Sequence, residues 1–302
     1  MPDGPTLSIE SVTKHFGSVR AVDDLSFTVR PGVVTGFLGP NGSGKTTTLR
    51  VLLGLAQPTA GRTLVGDRPY VEHPQPARLV GSSLEPGFHP GRTGLAHLET
   101  YAPQVGVSRA RCREVLELVG MGAFAGRRVG AYSMGMKQRL GLATALLADP
   151  PAVVLDEPAN GLDPEGIVWM RGLLRRFAAE GRTVLVSSHL LSEVQHTVDE
   201  VVVIARGRLV HASSLAELAA TAEAGTLVVA ADRERLSRLA AERGWLAEPE
   251  GDGLLLHGVS AAEAGAACFA AGLELRQLAT RGEDLEAAFL RLTAVQPEAV
   301  PA

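Results

Sequence analysis

Cysteine and aromatic residues are scarce in this chain of 302 residues. Its two cysteines, Cys112 and Cys268, belong neither to a CxxC pair nor to a cysteine–histidine cluster. This excludes a disulfide framework and a zinc site, and it favours a reducing compartment. Aromatic residues make up 4% of the chain, whereas hydrophobic residues make up 45%. We therefore expect a core of valine, leucine and alanine, as in a sheet covered by helices.

An excess of positive charge and long apolar runs are also missing. The formal net charge is −4, and no basic stripe marks a surface that would grip phosphates, so nucleic-acid binding is not expected. The longest apolar runs, such as residues 201–205, are far shorter than the roughly 20 residues of a membrane span. Residues 1–8 lack the basic and then apolar layout of a signal peptide. We expect a cytoplasmic protein that reaches a membrane only through a partner chain.

Short β-branched runs alternate with helical patterns between about residues 6 and 212. Four runs are apolar at nearly every position, which is typical of parallel strands covered on both faces. Two earlier runs alternate apolar and polar residues, as strands of a half-exposed antiparallel edge do. The apolar runs are residues 33–38, 153–155, 183–187 and 201–204, and the alternating runs are residues 7–12 and 25–29.

Two regions depart from this α/β pattern. Residues 85–147 show helical periodicity without strand signals, which predicts a helical subdomain inserted into the α/β core. After an alanine- and glutamate-rich segment at residues 215–224, the order becomes βαββαβ, the order of a split-βαβ sandwich. We therefore predict a large α/β domain at residues 1–220 and a small α+β accessory domain at residues 221–302.

A glycine-rich loop follows the first apolar run and precedes a helical pattern that starts at Thr47. The loop fits G-x-x-x-x-G-K-[ST], in which glycines let backbone N–H groups converge on phosphates at a helix N-terminus. Lys45 would supply a charge to the β- and γ-phosphates, and the Thr46 hydroxyl is a hard ligand for Mg²⁺. The alternative, a chance turn containing lysine, is weakened because the chain has only three lysines. The loop residues are Gly39, Pro40, Asn41, Gly42, Ser43, Gly44, Lys45 and Thr46.

Two adjacent acids, Asp156 and Glu157, end the apolar run at residues 153–155. Since ligands bind beyond the carboxyl ends of parallel strands, Asp156 is predicted to hold Mg²⁺ and Glu157 to activate the attacking water. Taken alone, such a pair is more often a solvated strand end. His189 follows the next apolar run and is a candidate for a γ-phosphate contact, although a lone histidine there is more often a surface cap.

Three further segments resemble motifs of ATP-binding cassette (ABC) ATPases. Residues 132–139, Tyr-Ser-Met-Gly-Met-Lys-Gln-Arg, resemble the signature motif; residues 160–163 resemble the D-loop; and residues 187–189 end in a matching switch histidine. The resemblance covers about residues 5–212. It implies a P-loop NTPase core with an antiparallel β edge subdomain and an inserted helical subdomain. It also implies an ATP-hydrolysing subunit of a transporter, using ATP and Mg²⁺ and working with an integral membrane permease on a separate chain.

The resemblance further implies a head-to-tail dimer with two nucleotides between the copies. It therefore adds Ser133, Gly135 and Asp163 to the residues predicted to bind the nucleotide, together with Thr47 at the start of the helix after the loop. Ser133 and Gly135 stand where a helix running to about Ala148 would begin, with its N–H groups and dipole available to the γ-phosphate. Phe16 matches the aromatic residue that stacks on adenine, although by itself it reads more readily as a core residue.

Three positions depart from the family pattern. Met134 and Met136 replace a glycine and a glutamine of the usual signature, and Glu85 stands where a glutamine normally faces Mg²⁺ and water. A carboxylate can still bind the metal, so Glu85 is kept as a candidate ligand. These variants are similar to those of cassettes that export drugs, antibiotics and peptides. The helical segment after Glu85 is expected to face the permease. For any single residue of this segment, however, a place in the core of the helical subdomain is the preferred interpretation.

Other functions remain open at this point. A cassette protein acting on ribosomes or DNA is disfavoured by the single phosphate loop and the absence of a basic surface. A clamp that binds ATP but hydrolyses it slowly is compatible with the altered signature, although Glu157 and His189 argue against it. Import is not excluded, because the cassette does not encode the direction of transport.

Overall fold

The computed structural model describes residues 4–85, 87–221, 225–281 and 285–293. The chain divides into two compact units. The first takes the residues up to Leu215 together with the last described residues, Leu292 and Thr293, and the second runs from Ala216 to Arg291. We call them the first unit and the second unit. Within the described ranges, no helix is both long enough and apolar enough to cross a membrane.

The first unit alternates strands and helices along most of its length. Short 3-10 turns lie between some of the elements. In chain order the strands and helices are β1 (Leu7–Phe16), β2 (Val19–Val29), β3 (Val34–Leu38), α1 (Lys45–Leu52), β4 (Ala60–Val65), α2 (Pro76–Leu79), β5 (Val80–Ser83), α3 (Gly94–Tyr101), α4 (Arg109–Leu118), α5 (Met134–Ala145), β6 (Ala152–Leu155), α6 (Pro164–Ala179), β7 (Thr183–Ser188), α7 (Leu191–Val194), β8 (Glu200–Ala205) and β9 (Arg208–Ser214).

Two sheets organise these elements. The larger has the order β5-β6-β7-β3-β8-β9, and every neighbouring pair in it is parallel except β8 and β9. The smaller is antiparallel, with the order β2-β1-β4. Strands β3 and β6 are buried at every residue, as a parallel strand covered on both faces should be. The predicted fold class, a parallel core with an antiparallel edge, is confirmed.

The strands at the margins were not predicted. β4, β5 and β9 carry mixtures of glycine, serine, arginine and exposed positions, so their sequences lack the long apolar runs of the central strands. β4 and β5 pair with strands distant in sequence, as when β5 joins β6 through Gly81 and Val153, whereas β9 pairs with the preceding strand β8. β4 and β9 are partly exposed and therefore need fewer apolar residues, whereas β5 is mostly buried but consists of Val-Gly-Ser-Ser.

Three helices, α3, α4 and α5, occupy the region predicted to be a helical insert. Each begins with a side-chain cap, in which Thr93, Ser108 or Ser133 accepts a backbone N–H bond from the first turn. Apart from one isolated bridge between Thr93 and Arg128, the described part of residues 85–147 contains no strand. Leu98 is fully buried here, so it belongs to the core of this region and not to a surface.

The second unit is a separate α+β sandwich. The elements from residue 215 onward are α8 (Leu215–Thr221), β10 (Gly225–Ala230), α9 (Arg233–Glu242), β11 (Leu246–Glu250), β12 (Gly253–His257), α10 (Ala261–Ala270), β13 (Leu275–Arg281) and α11 (Leu285–Thr293), of which α8 and α11 cross the boundaries of the second unit. The sheet is antiparallel with the order β11-β12-β10-β13, so the predicted βαββαβ order is found. The core combines strand residues such as Val228 and Leu256 with Leu236 of α9 and Cys268 of α10. The last strand, predicted from Leu273, begins instead at Leu275.

Candidate functional site

Three neighbouring parallel strands of the large sheet, β6, β7 and β3, end at the same edge. The glycine-rich loop follows β3, Asp156 and Glu157 follow β6, and His189 follows β7. Because parallel strands present their carboxyl ends to a common crevice, segments more than 100 residues apart in the chain meet there. The structure thus brings together the predicted phosphate loop, the two acids and the histidine.

The phosphate loop depends on its glycines. Gly44 has φ of +104°, and a Cβ there would collide with the carbonyl oxygen of Ala21. A Cβ on Gly39 would collide with the carbonyl oxygen of Ile204. A side chain at either position would therefore strain the loop or push apart the segments around it. The loop opens into a cavity of about 220 Å³, which is lined by Ala21, Asn41, Gly42, Ser43, Gly44, Lys45, Thr46, Thr47 and Glu157.

Helix α1 begins at this cavity without a side-chain cap. Its N-cap residue is Gly44, which has no acceptor to offer the first N–H groups, and no acidic residue stands in its first turn. In contrast, Asp163 caps α6 through a bond from the Gly166 N–H. The Ser43 hydroxyl is buried and makes no hydrogen bond within the described chain. Uncapped N–H groups and an unsatisfied hydroxyl at one opening fit an anionic oxygen ligand such as a phosphate.

Lys45 is held inside the loop. Its Nζ donates hydrogen bonds to the carbonyl oxygens of Gly39 at 2.6 Å and Pro40 at 3.4 Å, and it lies 3.5 Å from Glu157 Oε1. Burial lowers the pKa of Lys45, while the nearby Glu157 and Asp156 carboxylates act in the opposite direction. Any further negative charge placed in the cavity would therefore stabilise the charged form of the Lys45 ammonium group.

Asp156 lies at the centre of a small oxygen cluster. It is 6% exposed, its Oδ2 accepts a bond of 2.6 Å from Thr46 Oγ1, and its Oδ1 accepts a bond from Ser187 Oγ. Hydroxyl and carboxylate oxygens are the donors that Mg²⁺ prefers, and soft ligands are absent from this cluster. The residues present therefore fit a magnesium ion, which the oxygens of Thr46 and Asp156 would hold.

Glu157 has a backbone conformation that costs energy. Its φ is +48°, in the left-handed region, where a non-glycine residue carries about 1–3 kcal/mol of strain. One carboxylate oxygen lies 2.8 Å from His189 Nδ1, and the other faces Lys45. The side chain is thus fixed from two sides while it still lines the cavity. One carboxylate oxygen each from Glu157 and Glu193 and one ring nitrogen of His189 lie within 4.8 Å of one another.

The predicted signature residues lie at the exposed start of α5. Ser133 is exposed and caps the helix by accepting a bond from the Met136 N–H at 3.2 Å. Met134 is 68% exposed and lies against Gly161, where an added Cβ would meet the methionine side chain. Gly135 is half-buried in the first turn. Asp163, the cap of α6, is also exposed. These residues do not line the cavity at the phosphate loop of their own chain.

Two further predicted residues have contacts of their own. Phe16 is 53% exposed, with Lys14 Nζ 4.8 Å above its ring, so the alternative of a core residue is wrong. The side chain of Glu85 is 73% exposed, and its Oε2 accepts a bond of 2.9 Å from Arg50 Nη2. In the structure, Glu85 therefore pairs with Arg50 and does not belong to the oxygen cluster around Asp156.

Sequence reasoning missed three residues that shape the site. Ser187 accepts a bond from the Glu157 N–H and donates one to Asp156, so it joins the two acids. Gln138 donates from Nε2 to the Glu157 carbonyl oxygen at 3.1 Å. Ala21 comes from the antiparallel sheet and lines the loop cavity. The only sequence signal was that Ser187 and Gln138 stand inside quoted motifs, whereas nothing local marked Ala21.

Comparison with known proteins decides the family. A family model described as "ABC transporter" matches residues 22–160. YhcH of Bacillus subtilis (strain 168), an uncharacterized ABC transporter ATP-binding protein, is 43% identical over 208 residues, which are 68% of this chain and 68% of that protein. This chain belongs to the ABC transporter ATP-binding proteins. It is therefore an ATPase that uses ATP, and the predicted enzyme class is confirmed.

Two more relatives of this ABC ATPase are informative. The bacitracin transport ATP-binding protein BcrA of Bacillus licheniformis is 45% identical over 202 residues, and the match covers 66% of each chain. The solved structure of an ATP-binding subunit of an ABC transporter superposes with a TM-score of 0.64 at 26% identity, covering 70% of this chain and 91% of that one. The matches thus span about two thirds of the length of the first relatives.

Proposed function

We propose that two copies of this ABC ATPase pair head to tail around two molecules of ATP and drive export through a permease on a separate chain. The observation that carries the proposal is the meeting of the phosphate loop, the oxygen cluster and the Glu157–His189 pair at one sheet edge. Such a site binds a nucleoside triphosphate and supplies a base beside its terminal phosphate.

Each residue of the loop edge has a proposed role in hydrolysis. Lys45 would exchange its bonds to the loop carbonyls for bonds to the β- and γ-phosphates. Glu157 would take a proton from the water that attacks the γ-phosphorus, and His189 would orient Glu157 and contact the γ-phosphate. The bond to the β-phosphate oxygen then breaks, which leaves ADP and inorganic phosphate. The Glu157–His189 distance of 2.8 Å supports this pairing.

Thr46 and Asp156 would hold Mg²⁺. The ion supplies charge neutralisation across the phosphate oxygens when bound. Glu85 remains a proposed third ligand, and to serve as one it would first have to leave Arg50. Since an exposed ion pair contributes at most about 1 kcal/mol, this rearrangement is affordable on energetic grounds.

The proposed dimer would use the signature residues of the second copy. Ser133 and Asp163 are exposed, and in their own chain they stand outside the phosphate cavity. Ser133 and Gly135 of one copy would contact the γ-phosphate bound to the other, and Phe16 would stack on the adenine. Cleavage of the γ-phosphate removes this bridge, so the copies separate.

Export is the direction that one further relative favours, because it is named Nod factor export ATP-binding protein I. BcrA is named for the transport of bacitracin, a candidate type of cargo. We propose a cargo of the drug, antibiotic or peptide class and a location at the cytoplasmic face of the membrane, reached through the permease. The half-buried Phe88 and Leu95, in the helical region, would belong to the surface that faces the permease. The second unit would serve as an accessory domain.

A dimer-trapping experiment tests the proposed mechanism. Glu157→Gln removes the base but keeps the metal ligand Asp156, so we expect ATP turnover to fall by about 100-fold or more while ATP induces a stable dimer. Light scattering after size exclusion would show a doubled molar mass with ATP. Lys45→Ala is the matched control and should stay monomeric. Full turnover in Glu157→Gln, or no pairing with ATP, would contradict the proposal.

A reconstitution experiment tests the transport role. The purified chain should hydrolyse ATP slowly, and a membrane protein encoded beside it should raise the rate in proteoliposomes. Inside-out vesicles containing both chains should take up labelled bacitracin or a related peptide in the presence of ATP. Full-rate hydrolysis without any membrane protein would rule out a subunit that depends on its permease.

A further inference from the structure

The backbone of Glu157 is fixed by two side chains from distant parts of the fold. Its N–H donates to Ser187 Oγ at 2.9 Å, and its carbonyl oxygen accepts from Gln138 Nε2 at 3.1 Å. The same carbonyl also accepts a bond of 3.2 Å from the Asn160 N–H in the following turn. Both polar backbone groups of this residue are therefore satisfied in its left-handed conformation.

Local sequence does not favour that conformation. A left-handed φ is unfavourable for a side chain with a Cβ, and Glu157 also precedes Pro158, which restricts the residue before it. A strained residue keeps its geometry only where its surroundings impose it. Ser187 lies within strand β7, next to its last residue, so one contact comes from the sheet itself. The other comes from Gln138, which stands on helix α5.

Helix α5 is the element that begins with the signature. Ser133 caps it, and Gln138 lies one turn beyond Met134, on the half-buried part of the helix that contacts Glu157. The exposed end of α5 and the carbonyl of Glu157 are therefore joined through one rigid turn and one hydrogen bond. A shift of the helix start would be passed to the position of the Glu157 backbone, because an intact helical turn moves as a unit.

We propose that Gln138 is a positioning residue for ATP hydrolysis: its amide holds the Glu157 backbone, and it ties the placement of that carboxylate to the helix that carries Ser133 and Gly135. This rests on the proposed role of Glu157. In the paired state, contact of a second copy's nucleotide with Ser133 would then influence the base of the first copy's own site. Gln138 touches neither the phosphates nor the water.

Two substitutions separate the hydrogen bond from packing. Gln138→Met keeps the length of the side chain and its helix preference but removes the donor, and Gln138→Glu replaces the donor with an acceptor facing a carbonyl oxygen. We expect both to lower kcat about tenfold or more and to change KM for ATP by less than about twofold, since misplacement of a catalytic group acts on the chemical step. A residue that only packs would leave Gln138→Met at the rate of the unaltered protein.

A double-mutant cycle decides whether Gln138 acts through Glu157. In a Glu157→Gln background, Gln138→Met should cause no further loss of turnover, because the group that it positions is already gone. Turnover is expressed per ATP-binding site, titrated with a fluorescent ATP analogue, so that a poorly folded fraction does not enter the comparison. An equal loss in both backgrounds, an unchanged kcat, or a rise in KM alone would each overturn the inference.

The cycle also distinguishes this inference from the proposed function. If Glu157→Gln retains full turnover, the assignment of the base is wrong and the proposed function fails first. If Glu157→Gln is impaired while both Gln138 variants turn over normally, the proposed function stands and only the role of Gln138 is refuted.

Discussion

The two units of this ABC ATPase differ in what they bury. The first unit buries charged groups such as Lys45 and Asp156, and it contains all the non-glycine residues with positive φ in the described chain, including Glu157. The second unit has an apolar core that includes Cys268, and among its described residues the buried polar one is Thr226, whose hydroxyl donates to the Val259 carbonyl oxygen. Buried charge and strain oppose folding, so a fold retains them only where surrounding contacts support them.

This difference separates residues retained for chemistry from residues retained for packing. Substitutions in the loop of the first unit should change nucleotide handling far more than stability. Substitutions in the core of the second unit should lower stability far more than they change nucleotide handling. Four experiments test this separation, in order of decreasing effect.

The largest effect is expected from Lys45→Ala. Removing the ammonium leaves the phosphates opposite Asp156 and Glu157 without a compensating charge, so ATP binding should become undetectable by calorimetry at millimolar concentration. Burial lowers the pKa of Lys45, which means that the folded state disfavours its charged form. Removing this ammonium group should therefore not prevent folding. Unchanged ATP affinity would show that the loop does not bind phosphates.

Leu256→Ala should lower the stability of the second unit and leave ATP binding unchanged. Leu256 is fully buried in the core of the second unit, and truncating such a leucine costs about 2–5 kcal/mol of unfolding free energy. Trp245 packs against this core, so its fluorescence in a Trp169→Phe background reports unfolding of the second unit in denaturant. The ATP affinity should stay the same. A parallel loss of ATP binding would contradict the separation of packing residues from residues that bind the nucleotide.

The two cysteines form a matched pair of probes, because Cys112 is buried in the first unit and Cys268 in the second. Burial raises the pKa of both thiols, so below the ordinary thiol pKa both stay protonated, and the stability linked to them falls as the pH rises above about 9. At pH 8, alkylation therefore requires opening of the fold.

ATP at 100 times its dissociation constant should slow alkylation of Cys112 by up to about 100-fold and leave Cys268 unaffected. Mass spectrometry of the two peptides measures both rates in one sample. Equal protection of both cysteines would mean that the units open together, and the comparison between them would then fail.

The smallest effect is expected at Phe16. Stacking of a base on an aromatic ring is worth about 1–3 kcal/mol, so Phe16→Ala should weaken ATP binding about tenfold, whereas Phe16→Trp should retain it. Since Phe16 is half-exposed, the melting temperature should not change. An unchanged affinity in Phe16→Ala would remove this residue from the binding site.

Much of the fold followed from patterns along the chain. The central strands were predicted because burial on both faces requires apolar residues at nearly every position, as in β6. The strands β4 and β9 escaped prediction because partial exposure lets polar residues enter them, and β5 escaped because its four residues, although mostly buried, include a glycine and two serines. The βαββαβ order of the second unit was visible because its helices and strands alternate with clear periods.

The sequence by itself determined the glycine-rich loop and the helix after it, since glycine spacing and a following helix are local properties of the backbone. It also determined the identity of the acids at the end of β6. Only the tertiary structure decided that Glu157 adopts a left-handed conformation held by Ser187 and Gln138, and that Glu85 pairs with Arg50. These contacts join residues that are 19 to 35 positions apart in the chain. No local pattern encodes them, because they depend on how separate strands and helices pack at one edge of the sheet.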